Sequence, residues 1–410
     1  MARTIAVMPG QKDIDELLTG KKITTYPRHR MLKYLVPEII FGVGSLAEVG
    51  DALRRTGATH PLLVTDPGVC AAGWVERALV HIGESGVEAT VWDGVSSNTK
   101  DTDVARGLER FRETACDSVV AIGGGSPIDA AKAIAVLSTN EGGILDYEGV
   151  DRITSPVPPM VMVPTTGGTG ADVSQFCVVT DTTRRLKVTI GGRVLVPDIS
   201  ITDPYLLTTM PQDISAYTAI DALAHAIEAY VSKGANFLGD AHALSAVQSI
   251  SKHLFVSLEN PNDLAAREGV ARASLQAGLA FSNALLGATH AISHQIGGFL
   301  DLHHGMLNAI LLPHVIRFNG ATHPYRYLDI AEALGITADL SNPRCTVELL
   351  ADRVQHIAAE VGIPSNLSSI GVRREHIPRF AENALHDAYI TTNPRALTAE
   401  DVCEICVAAL

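Results

Sequence analysis

The sequence is short of cysteine, of positive charge and of long apolar runs, and each shortage removes a class of protein. Six cysteines in 410 residues are too few for a disulfide scaffold, which agrees with a reducing compartment. Lys and Arg number 32 against 45 Asp and Glu, a net charge of −13. That is the wrong sign for a surface that neutralises phosphates, so no nucleic-acid partner is expected. The longest apolar runs, such as Met160 to Val163 and Ala309 to Leu312, stop far short of the ~20 residues that cross a bilayer, and no membrane partner is expected. The opening stretch MARTIAVMPGQKD lacks the apolar core and small-residue cleavage site of a secretory signal. A cytoplasmic protein with a small-molecule partner is the expectation.

What is present is ample apolar material: 46% hydrophobic residues, enough for two or three domains at roughly 150 residues each. Residues 1–32 are polar and irregular and read as an arm. Residues 33–208 alternate short β-branched runs (EIIFG, LLVTD, ATVWDG, SVVAIGG, MVMVPTT) with helical patterns. That alternation indicates βαβ units and a parallel, Rossmann-like sheet, because strands buried on both faces read as continuous apolar runs. Residues 209–410 are dominated by Ala- and Leu-rich segments with helical periodicity, at 214–232, 241–258, 263–285 and 325–334. The expected fold is an N-terminal α/β domain followed by an all-helical, metal-binding domain.

Three glycine-rich segments compete for a nucleotide. Ser118 to Ile122 is an apolar strand leading into Gly123-Gly124-Gly125-Ser126 and then Pro127, read as the first helical residue. Unpaired N–H groups and the positive end of a helix dipole at such a junction attract phosphate. Upstream, Gly42-Val43-Gly44-Ser45-Leu46-Ala47 matches G-x-G-x-x-A, with Asp66 at a suitable distance. Its preceding strand is short, and it reads mainly as a strand-to-helix turn. Asp66, at the end of LLVTD, either accepts ribose hydroxyls and repels a 2′-phosphate or caps a helix before Pro67-Gly68. The third segment, Pro164 to Gly170, is dense in hydroxyls and glycines and either closes the same cleft or is a turn.

In ISAYTAIDALAHAIEAYVS, Asp221 and His225 interrupt an apolar helix. Four residues advance about 400°, so both point the same way. His290 and His294 repeat that spacing, Gly297-Gly298 is expected to end their helix, and His304 is expected in the loop that follows. Asp221, His225, His290 and His304 would make one site suited to Fe²⁺ or Zn²⁺. The tail pair Cys403 and Cys406 reads as two thiols of one helix, since no second CxxC accompanies it.

The segments AIGGGSPIDAAKAIA, PTTGGTGADVSQFCVVTD, DALAHAIEAYVS and HAISHQIGGFLDLHHGMLNAILLPHVIRFN resemble the iron-containing, or group III, alcohol dehydrogenases, in family order from about Leu35 to the C-terminus. The resemblance implies that Gly124, Gly125, Ser126 and Asp129 hold the pyrophosphate of NAD. It matches Asp66, Asn98, Thr165, Thr166, Thr169 and Lys187 to further cofactor-contacting positions. It implies Asp221, His225, His290 and His304 as ligands of Fe²⁺, with Zn²⁺ second, and His294 as the histidine beside the nicotinamide. A homo-oligomer is implied as well. The chain departs from the family's GTGSE at Gly168-Thr169-Gly170-Ala171-Asp172, which bears on substrate class. The expected activity is reversible hydride transfer between NAD and a small alcohol or its aldehyde or ketone. The alternatives are an NAD- and metal-dependent lyase of the dehydroquinate synthase type and a catalytically silent nucleotide-binding protein.

Overall fold

The apolar runs of the first half become strands of a parallel sheet. In chain order these are β1 (Glu38–Phe41), β2 (Pro61–Val64), β3 (Thr90–Trp92), β4 (Ser118–Gly123), β5 (Gly149–Val150), β6 (Met160–Pro164), β7 (Phe176–Asp181), β8 (Leu186–Gly191) and β9 (Ile199–Thr202). The structure is a computed structural model and describes residues 32–410; the expected arm lies, through residue 31, outside the described residues. The main sheet has the order β1-β9-β6-β4-β2-β3, every neighbour parallel. Crossovers are made by helices α1 (Val49–Arg55), α2 (Pro67–Ala71), α3 (Trp74–Glu84), α4 (Asp101–Glu113) and α5 (Gly125–Thr139). The pleat divides each central strand between two cores. Leu62, Val64, Val119, Ala121, Met160 and Met162 enter one, and Leu63, Val120, Ile122, Val161 and Val163 the other. Burial of each large side chain stabilises by roughly 1.5–3 kcal/mol. A second small sheet, β5-β8-β7, is built on the antiparallel β7–β8 hairpin.

The chain then turns helical: α6 (Gln212–Val231), α7 (Phe237–Glu259), α8 (Leu264–Ala284), α9 (Ala288–Leu300), α10 (His304–Gly320), α11 (Tyr325–Ala333), α12 (Pro343–Glu360), α13 (Ile377–Ala384) and α14 (Ala399–Ala408). Helix α6 is buried almost all round from Ser215 to Val231, the position of a central helix. No helix among the described residues is long and apolar enough to cross a membrane. Residues 35–410 pack as one compact unit.

Three local expectations are corrected. Helix α5 begins at Gly125 with Gly124 as its cap, so Pro127 is the third helical residue, where it still removes only an N–H with no partner inside the helix. Gly297-Gly298 does not end α9, which continues to Leu300 and stops at Asp301 (φ 55°). A Cβ on Gly298 would lie 2.4 Å from Leu186 Cα, so this glycine serves the close approach of β8. His304 is not in a loop; it is the first residue of α10.

The sheet order reverses between β2 and β4. In such sheets the crevice beyond the carboxyl ends of the strands at that point accepts ligands. The loops after β2 and β4 carry Asp66 and Gly124.

Candidate active site

A cleft of about 1010 Å³ runs from that crevice to the helices, lined at one end by Asp66, Gly124, Gly125 and Ser126 and at the other by Asp221, His225, His290 and His304. At the first end, the N–H groups of Gly125 and Ser126 open α5 and have no carbonyl one turn earlier to bond. A Cβ on Gly124 would come within 3.0 Å of Thr166 Cγ2, and one on Gly125 within 3.0 Å of Thr169 Cγ2. Absence of side chains thus lets the Thr165–Thr169 loop close against the helix start, and all three threonines line the cleft. Asp66 is the helix cap of one of its two readings, its Oδ1 accepting from Val69 N at 3.0 Å at the start of α2, and it also lines the cleft.

The rival loop is satisfied from within. Gly44 N and Leu46 N donate to the Asp203 carboxylate at 3.0 and 3.1 Å, so the anion at that helix start is the protein's own. None of its residues lines the cleft. Asp172, one of the two residues that depart from the family pattern, accepts from Ser200 Oγ at 2.7 Å and is buried, which raises its carboxyl pKa. It does not line the cleft, so the shortened carboxylate bears on packing against β9, whereas Ala171, where the family has a hydroxyl, does line it.

Asn98 and Lys187 meet across the cleft: Lys187 Nζ donates to Asn98 Oδ1 at 2.6 Å. Asn98 Nδ2 donates to Asp301 Oδ1 at 2.9 Å, and Lys100 pairs with Asp301 at 3.2 Å. The loop before α4 is thereby strapped to the end of α9. Burial lowers the Lys187 ammonium to about 8. Asp129 also lines the cleft, and burial raises its carboxyl. Below it the buried Lys132 donates to the Ala171, Ser174 and Phe176 carbonyls, which fixes the far side of the threonine-rich loop to α5.

The second end of the cleft is a cluster of buried and half-buried polar side chains. One ligand atom from each of Asp221, His225, His290 and His304 lies within 4.8 Å of the others. Asp221 and His225 come from α6, His290 from α9 and His304 from α10. Each imidazole has its Nδ1 occupied on the outside. His225 Nδ1 donates to the Gly168 carbonyl at 3.2 Å, and His290 Nδ1 to Glu228 Oε2 at 2.6 Å. Ser293 Oγ donates to the His290 carbonyl and so accepts from His304 Nδ1 at 3.3 Å. These bonds select the tautomer whose Nε2 carries a lone pair, and the lone pairs converge on a carboxylate. Burial holds the His225 imidazole down at about 4 and His304 well below the ordinary histidine range, so neither supplies a proton to the cluster. Neutral imidazoles and a carboxylate converging in a buried place are the donor set of a divalent transition metal, and the outward partners are what such ligands use. The residues present fit an iron ion.

His294 lies beside this cluster but outside it. Its Nδ1 donates to Asp387 Oδ2 at 2.8 Å, and its ring is 5.2 Å from that of His304. Reasoning from sequence missed Glu228, Asn308 and Asp387. Glu228 had a signal, since it follows Asp221 by seven residues and His225 by three, on the same helical face. Asn308 follows His304 by four. Asp387 had none, because 93 residues separate it from His294.

Comparison with known proteins agrees with this geometry. Residues 37–204 match the iron-containing alcohol dehydrogenase family and residues 215–410 its C-terminal part. The chain is 42% identical over 380 residues to a 1,3-propanediol dehydrogenase of Citrobacter freundii, covering 92% of this chain and 98% of that one. It is 37% identical over 377 residues to an NAD-dependent methanol dehydrogenase of Bacillus methanolicus, covering 92% and 99%. The crystal structure of a 1,3-propanediol oxidoreductase superposes with a TM-score of 0.89 at 40% identity, covering 93% and 100%. That of a sulfoacetaldehyde reductase from Bifidobacterium kashiwanohense in complex with NAD⁺ superposes with a TM-score of 0.82 at 27% identity, covering 93% and 99%.

The chain belongs to the iron-containing alcohol dehydrogenase family. It is accordingly an oxidoreductase that interconverts an alcohol and its carbonyl compound, with iron as the metal. The lyase and the silent nucleotide-binding protein are not favoured.

Proposed function

We propose that Asp221, His225, His290 and His304 hold the iron and that the α5 end of the cleft holds NAD, in preference to NADP, for the oxidation of small primary alcohols or diols and the reverse reduction. The observation that carries this reading is the outward tethering of all three ligand imidazoles at the inner end of a cleft whose other end is an open helix start. When bound, the metal supplies Lewis acidity that makes an alcohol oxygen easier to deprotonate.

The chain's own residues do the rest. Gly124, Gly125 and Ser126 receive the pyrophosphate on unpaired N–H groups. Asp66 receives the ribose hydroxyls and repels a 2′-phosphate. Thr165, Thr166 and Thr169 offer hydroxyls from the opposite wall. Asn98, Asp129 and Lys187 line the middle of the cleft, where the Asn98–Lys187 bond sets its width. His294 is placed to take up the alcohol proton at Nε2, because Asp387 fixes Nδ1–H on the other side of the ring and stabilises the imidazolium that forms. Phe281, Leu286 and Tyr389 give the cleft apolar wall near the cluster, which suits a short carbon chain. The division at 208/209 separates the cofactor-binding part from the metal-binding part, and the protein works in the cytoplasm as a homo-oligomer.

The test is steady-state kinetics of anaerobically purified, iron-loaded protein with both cofactors against straight-chain alcohols, diols and their aldehydes. NAD should give the higher kcat/KM, and Asp66→Gly should gain NADP use. Equal kcat/KM for the two cofactors in wild type would refute the assignment of Asp66.

A further inference from the structure

Asn308 is completely buried one helical turn after His304, and its amide nitrogen lies against three of the four atoms of the cluster. Nδ2 is 2.7 Å from Asp221 Oδ1, 3.0 Å from His290 Nε2 and 3.0 Å from His304 Nε2. Its Oδ1 is buried without a hydrogen-bond partner. An amide nitrogen has two hydrogens, so it cannot satisfy three acceptors. The shortest of the three contacts is the one to the carboxylate, and a hydrogen bond to an ionised acceptor is about twice as strong as a neutral one. The tautomers fixed by Glu228 and Ser293 leave both Nε2 atoms as lone pairs aimed at the place a metal would take. Their contacts to Asn308 are therefore the ones given up on loading. The contact to Asp221 is the one that persists, because a carboxylate oxygen has a second lone pair to offer.

We infer that Asn308 is a positioning residue of the metal centre: it holds the Asp221 carboxylate by donating one Nδ2 hydrogen, and before loading its second hydrogen serves the two Nε2 lone pairs in turn. This rests on the reading of Asp221, His225, His290 and His304 as ligands. The amide reaches the centre because Gly305 lets α10 touch α6: a Cβ there would lie 2.3 Å from the Tyr217 carbonyl oxygen. Three separate helices then converge on one side chain that itself ligates nothing. Partners that orient a metal ligand in this way are commonly worth 10–100-fold in metal affinity.

The experiment uses full-length protein stripped by a chelator and titrated with Co²⁺ in competition with a coloured chelator, while the visible d–d bands of the bound ion are recorded. Asn308→Leu keeps the approximate size and removes both donors; Asn308→Ser is smaller and does not reach Asp221, and it carries the test where the leucine variant fails to fold. The expected result is a 10–100-fold weaker Co²⁺ affinity in both, with shifted d–d bands that report a rotated carboxylate. A variant with reduced thermal stability but wild-type Co²⁺ affinity and unshifted bands would overturn the inference, since a purely structural role predicts that pattern. Wild type and His290→Ala are run alongside. If wild type takes up no Co²⁺, the ligand reading itself fails; if wild type binds and only the Asn308 variants are indistinguishable from it, the failure belongs to Asn308 alone.

Discussion

Replacement of Glu228 by Gln isolates the outward tether of His290, one of the four proposed ligands. The Glu228 carboxylate accepts from His290 Nδ1 at 2.6 Å, Thr289 N at 2.7 Å and Gly287 N at 3.2 Å. It is buried, yet these bonds hold its pKa below the ordinary carboxylate value. Two of the donors are backbone groups at the start of α9 with no partner inside the helix, so the same side chain caps the helix and fixes the imidazole. Glutamine keeps the size and one acceptor oxygen, which can still serve His290 and Gly287. Its amide NH₂ then faces the Thr289 N–H, a donor against a donor, at a cost of about 1–3 kcal/mol for the unsatisfied group. Loss of the charge from the His290 bond removes about 1 kcal/mol more. Together these give about 2–4 kcal/mol of stability in the chelated protein. Metal affinity should fall 10–100-fold because the Nδ1–H tautomer is less firmly held. Thermal unfolding after chelation reads the first effect and chelator competition the second. Wild-type metal affinity in Glu228→Gln would refute the claim that the tether tunes His290.

His294→Ala should keep its metal and lose most turnover, whereas His290→Ala and His304→Ala should lose both; elemental analysis showing metal loss from His294→Ala as severe as from His290→Ala would mean the ligand set is wrong. Gly168→Ala would place a Cβ 2.1 Å from the Thr218 carbonyl oxygen. It should cost about 1–3 kcal/mol by overpacking and displace the carbonyl that orients His225, so normal thermal stability with normal metal affinity would contradict the described packing. In the chelated protein, burial lowers His225 from 6.5 to about 4, so on acidification the unfolded chain takes up this proton first. The stability due to neutral His225 is complete above pH 6.5 and is lost as pH falls toward 4, by about 3 kcal/mol. His304 acts in the same direction, and Tm measured across that range should fall more steeply in wild type than in His225→Gln. Equal slopes would refute the burial argument.

Much of this protein was determined along the chain itself. The strands β2, β4 and β6 are legible because burial on both faces demands unbroken apolar runs, and helix α6 because three-to-four-residue spacing is local geometry. Asp221 with His225, and His290 with His294, are paired by that same spacing, and Asp66 by its place at a strand end. Tertiary structure decided what depends on atoms far apart in the chain. Gly42 to Ala47 and Gly123 to Ser126 look alike as strings, and only the carboxylate of Asp203, 159 residues beyond Gly44, fills the first and leaves the second open. His290 and His294 share one helical face, and only their different partners, Glu228 and Asp387, go with the separate positions of their rings, one in the four-residue cluster and one beside it. Gly298 reads as a helix stop until β8 is packed against it. Period and composition report which face of an element is buried, whereas the partner of a buried polar group is set by whichever element the fold brings against it, and that information is not contained in any local window of the sequence.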